Sequence, residues 1–181
     1  MPRVYIHELV DVIGTERARY QHHMTANWCP EAGPLRRQRC FGVFSTVGST
    51  GRWPQVVNLW EYDSWEDLAH NFSVELVGAS HRDPMLEVWW QRAASFRTGG
   101  LDRILVAHDE SRGVQDWCES GGTAAVAYVH EIVRTEVDGQ YPVVAPPVGS
   151  DVYMIARLWN FWPILQLEKG QTYRLHLTSL D

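Results

Sequence analysis

Between residues 3 and 108 the hydrophobic period switches in a fixed order, and that order leaves few folds open. RVYIHELVD (3–11) is rich in Val, Ile and Tyr and reads as a strand. Gly14 and Thr15 follow, and Thr15 is placed to cap a helix from about Glu16 to Trp28. Pro30 and the EAGP stretch (31–34) are expected to end it. QRCFGVFST (38–46) reads as a second strand, Gly48 to Pro54 as turn-rich, and QVVNLWEY (55–62) as the most strongly marked strand. Ser64 and Asp67 form a helix-start signature, after which Trp65, Leu68, Phe72 and Leu76 recur at helical spacing. Asp83 and Pro84 open another helix carrying Met85, Val88, Trp89, Ala93 and Phe96. Gly99 and Gly100 are expected to stop it before a fourth strand, LDRILVAH (101–108).

Strand, helix, strand, strand, helix, helix, strand is the split βαβ order of an α+β, ferredoxin-like module. Helices on one face of such a sheet leave the other face to be covered, by dimerisation or by a tandem copy. Residues 1–108 are therefore assigned to a ferredoxin-like α+β barrel module, 109–122 to a linker, and 123–181 to a partial, β-rich second module. The second module begins with a repeat. Tyr5-Ile6-His7-Glu8-Leu9-Val10 matches Tyr128-Val129-His130-Glu131-Ile132-Val133, which points to duplication. The repeat then fails, because DGQYPVVAPPVGS (138–150) cannot form the following helix. DVYMIARLW (151–159), a turn at Glu168-Lys169-Gly170 and QTYRLHLTSL (171–180) return to strand character.

Composition narrows the function classes. With 45% hydrophobic and 21% charged residues, the chain can bury a core without a disulfide or metal staple. A net charge of -6 with scattered Lys and Arg argues against nucleic acid or an anionic membrane as partner. Cys29, Cys40 and Cys118 form no CxxC and read as reduced thiols, so a cytoplasmic location is expected. There is no apolar run of about 18 residues to span a membrane. No HExxH, GxSxG or glycine-rich phosphate loop is present, and neither a metal nor another cofactor is expected. Nine tryptophans point to a filled aromatic core or to an aromatic-lined pocket.

Residues 1 to about 135 resemble the NIPSNAP-like branch of the dimeric α+β barrel proteins. The resemblance rests on YIHELV (5–10), WPQVVNLWEYDSWEDLAHNF (53–72), DPMLEVWW (83–90) and GGLDRILV (99–106), with Trp53 to Phe72 the most specific. It implies a homodimer that binds a small molecule. The superfamily includes cofactor-independent monooxygenases, isomerases and cyclases, and also non-catalytic binding proteins, so the resemblance speaks for fold more than for function. From about residue 139, the run VAPPVGSDVYMIARLWNFWPILQLEKGQTYRLHLTSLD resembles the opening strands of the cupredoxin domain in subunit II of haem–copper oxidases. That family's copper ligands would lie beyond Asp181, so an electron-transfer fragment is the weaker alternative. The tail also aligns, through a shared Leu-Trp pair, as a degenerate second module.

Strand alternation places His7 with Tyr5, and Asn58 with Trp60 and Tyr62. If His7 faces the barrel interior, these residues line one cavity. His7 would then serve as general base and Tyr62 as hydrogen-bond donor to an oxyanion, with Tyr5, Asn58, Trp60 and His70 binding substrate. The alternative is that Trp60 and Tyr62 fill a core or dimer interface, that His7 is a structural histidine, and that His70 lies on a helix surface. Glu8 reads as an ordinary charge on an interface or rim.

Overall fold

The structure, a computed structural model, describes residues 2–47, 53–76, 84–107, 112–121, 127–135 and 172–180. The chain divides into two compact units, Met1–Gly122 and Thr123–Asp181. The first carries a four-stranded antiparallel sheet of β1 (Val4–Val12), β2 (Arg39–Ser45), β3 (Gln55–Tyr62) and β4 (Arg97–Val106) in the order β2-β3-β1-β4. β3 thus lies between β1 and β2, as the split βαβ order requires. The expected α+β, ferredoxin-like architecture is the one observed.

The two central strands are buried along almost their whole length. On one face Val4, Ile6, Val10 and Val12 of β1 meet Val56, Trp60 and Tyr62 of β3, and together they form the core with the helices. Each such side chain taken out of water contributes about 1.5–3 kcal/mol. The edge strand β4 leaves Leu101, Ile104 and Val106 about half exposed, with Asp102 and Arg103 interleaved among them. Charges at such positions discourage edge-to-edge pairing.

Helix α1 (Arg17–His22) does not stop before Pro30. It passes into a π-helical segment, His23–Trp28, and then into α2 (Cys29–Arg36), which contains both Pro30 and Pro34. The Cys29 N–H bonds to the Met24 carbonyl, five residues back, and this wider turn relieves the ring–carbonyl clash that proline causes in a regular helix. The buried residues of the run, Tyr20, Met24, Trp28, Ala32 and Arg36, recur every four positions. A pure α-helix would rotate such a series steadily off one face, by about 40° per step. The slower winding of the π turn offsets much of that drift. The helix closes as a Schellman motif, with Gln38 N–H to Gly33 O (2.9 Å) and Arg37 N–H to Pro34 O (3.4 Å). Arg37 takes the left-handed conformation (φ 51°) usually given to glycine.

Ser64 caps α3 (Trp65–Leu76) as expected, its Oγ accepting the Asp67 N–H at 3.2 Å. Helix α4 runs Pro84–Ala94. Gly99 and Gly100 do not end that helix. They lie inside β4, which begins at Arg97. A Cβ at Gly100 would sit 2.2 Å from the Leu9 carbonyl oxygen, so the glycine lets two backbones approach. Within the segment read as a linker, Val114–Glu119 forms a short helix, α5. Both oxygens of Glu61 accept its first N–H, from Val114, at 3.0 and 3.2 Å.

In the second unit β5 (Ala127–Thr135) holds the YVHEIV repeat and pairs antiparallel with β6 (Thr172–Leu180). The strand expected at 151–159 and the turn at 168–170 lie outside the described residues. Among the described residues no helix is long and apolar enough to cross a membrane.

The glycine contact predicts a sharp contrast between neighbours. Gly100→Ala should destabilise the first unit by about 2 kcal/mol or more. Gly99→Ala should stay within about 0.5 kcal/mol, since its Cβ would meet Asp11 only at 4.0 Å. Urea-denaturation midpoints of the two variants check this.

Candidate functional site: an aromatic cavity over a buried carboxylate

Alternation along β1 decides where the site lies. Val4, Ile6, Val10 and Val12 project toward the helices, and Glu8 is the one charged residue in that series. Its carboxylate is held from three directions. Oε2 accepts Asn58 Nδ2 at 2.8 Å and Trp60 Nε1 at 3.1 Å, and Oε1 accepts Arg97 NH1 at 3.0 Å. Asn58 also donates to the Tyr20 hydroxyl at 2.8 Å. Burial, followed by the nearby Glu8 charge, pushes the Tyr20 phenol well above its ordinary pKa, so it stays protonated.

Above this carboxylate lies a cavity of about 220 Å³ between sheet and helices. Its apolar walls include Trp28, Trp60, Trp89, Trp90, Phe72 and Met24. The Trp28 and Trp89 rings lie 3.7 Å apart between centroids, and Trp90 stands edge-on to Trp89 at 5.5 Å. His23 stacks on the far partner of this cluster, 4.5 Å from Trp89. Glu8, Asp102, Arg36 and Arg97 all reach the cavity, so its two carboxylates and two guanidiniums balance. The Arg36 guanidinium lies 4.4 Å over the Trp28 ring. Two further buried acceptors line the wall, Asn71 Oδ1 and Gln38 Oε1, and neither has a hydrogen-bond partner.

The six residues singled out in the sequence do not meet. Trp60 and Tyr62 line the cavity, and Asn58 sits under it as a support for Glu8 and Tyr20. His7 does not join them. It pairs across the sheet with Leu59 and Arg103, on the opposite face from Trp60 and Tyr62. Its Nδ1 lies 3.4 Å from Arg103 NH1. The shared cavity therefore fails on parity: facing residues of antiparallel strands share a face, and His7 faces Leu59 rather than Asn58 or Trp60. Tyr5 lies on His7's face, donating its hydroxyl to Glu61 at 2.9 Å. His70 contacts the Leu35 carbonyl at 3.1 Å and takes no part in the cavity wall.

Glu8, read as a rim charge, is instead the polar centre of the site. A lone carboxylate within an apolar face of alternating Val and Ile was the available signal. Arg97, Tyr20 and Arg36 carried none, because their places depend on a strand bulge and on the π-helical turn.

Two outcomes follow. Glu8→Leu leaves Arg97, Asn58 and Trp60 without their acceptor and should cost about 2–3 kcal/mol, Glu8 and Arg97 being mostly but not fully buried. Glu8→Leu with Arg97→Met should recover part of that loss in a denaturation double-mutant cycle. Burial also lowers the His23 pKa. The unfolded chain, with its histidine near 6.5, then takes up a proton that the folded chain does not. Stability should fall as pH drops below about 6.5, and His23→Gln should flatten that slope in denaturation midpoints measured between neutral and mildly acid pH.

Neither the family models nor the curated proteins contain a match to this chain. Solved structures do. A NIPSNAP-like domain protein from Burkholderia xenovorans superposes with a TM-score of 0.51 at 20% identity, over 61% of this chain and 90% of that one. A NIPSNAP family protein from Agrobacterium tumefaciens gives 0.48 at 20% identity, over 60% and 96%. A putative antibiotic biosynthesis monooxygenase from Chloroflexus aurantiacus gives 0.41 at 10% identity, over 63% and 99%. No similarity to an oxidase subunit accompanies the tail, so its cupredoxin resemblance stands unsupported. At these identities the likeness is one of architecture: over about three-fifths of its length, the chain has the ferredoxin-like α+β fold seen in NIPSNAP-like domains.

Proposed function

We propose that the first unit binds a small, neutral aromatic molecule carrying a hydrogen-bond donor, inside the cavity over Glu8. The observation that carries this reading is the wall of four tryptophans around a charge-balanced polar floor. Apolar walls with a few convergent polar groups are the usual make-up of a ligand pocket. Size limits the ligand. An engineered protein cavity of about 150 Å³ holds benzene, so 220 Å³ suits a fused bicyclic ring better than a drug-sized molecule. Charge limits it too. With Glu8 and Asp102 offset by Arg36 and Arg97, a net charge on the ligand would enter a low-dielectric site without a counter-ion. The acceptors Asn71 Oδ1 and Gln38 Oε1 favour a ligand that donates.

A second reading, cofactor-independent catalysis on the same molecule, is favoured by the Glu8 carboxylate and the Tyr20 phenol, which are joined through Asn58 at the cavity floor. It moves proton chemistry from His7 to Glu8, with Tyr62 kept as a wall residue. On that reading Glu8→Gln would retain ligand and lose turnover.

Indole is a suitable probe, being bicyclic, neutral and an N–H donor. Its titration should quench tryptophan emission saturably. Ala93→Leu, which places a larger side chain in the cavity wall, should abolish the saturable phase while leaving the circular dichroism spectrum unchanged. Linear, unsaturable quenching of the native chain would remove the case for a ligand site.

A further inference from the structure

A second recess of the first unit, about 470 Å³, lies where α2 meets β2. Cys29, Arg37, Arg39, Cys40, Asp63 and Asp67 line it. Cys29 opens α2, and Cys40 is the second residue of β2. The Schellman turn at Arg37 reverses the chain between them and brings the two thiols together. Both cysteines are free, both are half-buried, and both pack against the hydrophobic core. Their side chains are hydrogen-bonded to each other. That bond lowers the Cys29 pKa, while the same bond and burial raise that of Cys40. One thiol of the pair is thereby favoured as the thiolate and the other as its S–H donor.

The remaining walls suit a small uncharged oxidant. Arg39 forms a two-point ion pair with Asp63 (2.5 and 2.6 Å), and Arg37 pairs with Asp67 at 3.1 Å. The recess is polar and its charges are matched, so nothing in it selects for an anion. Cys118, by contrast, is exposed on α5 away from this pair.

We propose that Cys29 and Cys40 are a redox-active dithiol that closes to an intramolecular disulfide when a hydroperoxide enters this recess. The Cys29 thiolate attacks one peroxide oxygen and the O–O bond breaks. This yields a Cys29 sulfenic acid and a hydroxide, which takes up the Cys29 thiol's former proton to give water. The Cys40 sulfur then attacks the Cys29 sulfur. The S–S bond forms, the S–O bond breaks, and the departing hydroxide carries off the Cys40 proton as a second water. Two thiols are oxidised and one hydrogen peroxide is reduced. The bond ties α2 to β2 beside the aromatic cavity, since Trp28 precedes Cys29 and Cys40 pairs across the sheet with Trp60.

The test uses the full chain with Cys118→Ser, treated with stoichiometric hydrogen peroxide, denatured and alkylated with iodoacetamide. Both alkylation sites should vanish together, the mass should fall by about 2 Da, and a peptide pair linked through Cys29 and Cys40 should appear and be lost on reduction. Two cysteines still fully alkylated would overturn the proposal. So would oxygen gained on one cysteine while the other still alkylates. With Cys40→Ser added, Cys29 should halt as a sulfenic acid that dimedone traps. Absence of that adduct in a folded variant would overturn Cys29 as the attacking thiol, and the mass measurement on the native pair stands without this variant.

Discussion

The first unit is organised around one buried carboxylate. Glu8 projects from the middle of β1 into a face otherwise made of Val and Ile, where an ionised group left alone would be strongly unfavourable. It is not left alone. Donors from β3 (Asn58, Trp60) and β4 (Arg97) converge on it, so three strands share one polar anchor. Trp60 is held by its N–H as well as by packing, which fixes the ring plane that walls the cavity. The polar floor and the aromatic wall are therefore one construction rather than two.

Glu61 does the corresponding work on the other face of the sheet. It is 1% exposed and gathers the Tyr5 hydroxyl, the Arg39 guanidinium and the first N–H of α5. Asp116 closes that arrangement by accepting the Gly113 N–H at 2.6 Å and Arg3 at 2.9 Å. A six-residue helix has little stability of its own, and this docking gives it a place. Two glutamates, one per face, thus make the central strands polar at chosen points without leaving a charge unmatched.

Much of the fold was legible because it rests on local periodicity. QVVNLWEY became β3 at its expected bounds, Ser64 capped α3, and the strand order followed from the split βαβ pattern. The candidate site was legible only in part. Trp60 and Tyr62 could be placed on one face by alternation, but which residues of β1 share that face depends on inter-strand register, and register is a tertiary quantity. His7 and Glu8 exchanged roles for that reason alone. The glycines at 99 and 100 misled in another way. They resemble a helix stop, and their actual office, close approach to Leu9, is visible only once β1 and β4 are paired. Pro30 was read as a terminator because the rule assumes regular α-helical winding, which the His23–Trp28 segment does not have.

That segment has a consequence for how the chain tolerates change in length. Its looser turn sets the angular phase between α1 and α2, so that Tyr20 and Arg36, sixteen positions apart, both reach the cavity. Loss of one residue there would tighten the turn to ordinary winding and advance everything after it by about 100°. Trp28, Ala32 and Arg36 would swing off the sheet together, with Cys29 carried away from Cys40. The loop-like freedom to gain or lose a residue is therefore absent from the one stretch of this helical run whose hydrogen bonding looks irregular. Its irregularity is a fixed phase offset, and the spacing on either side of it is cut to match.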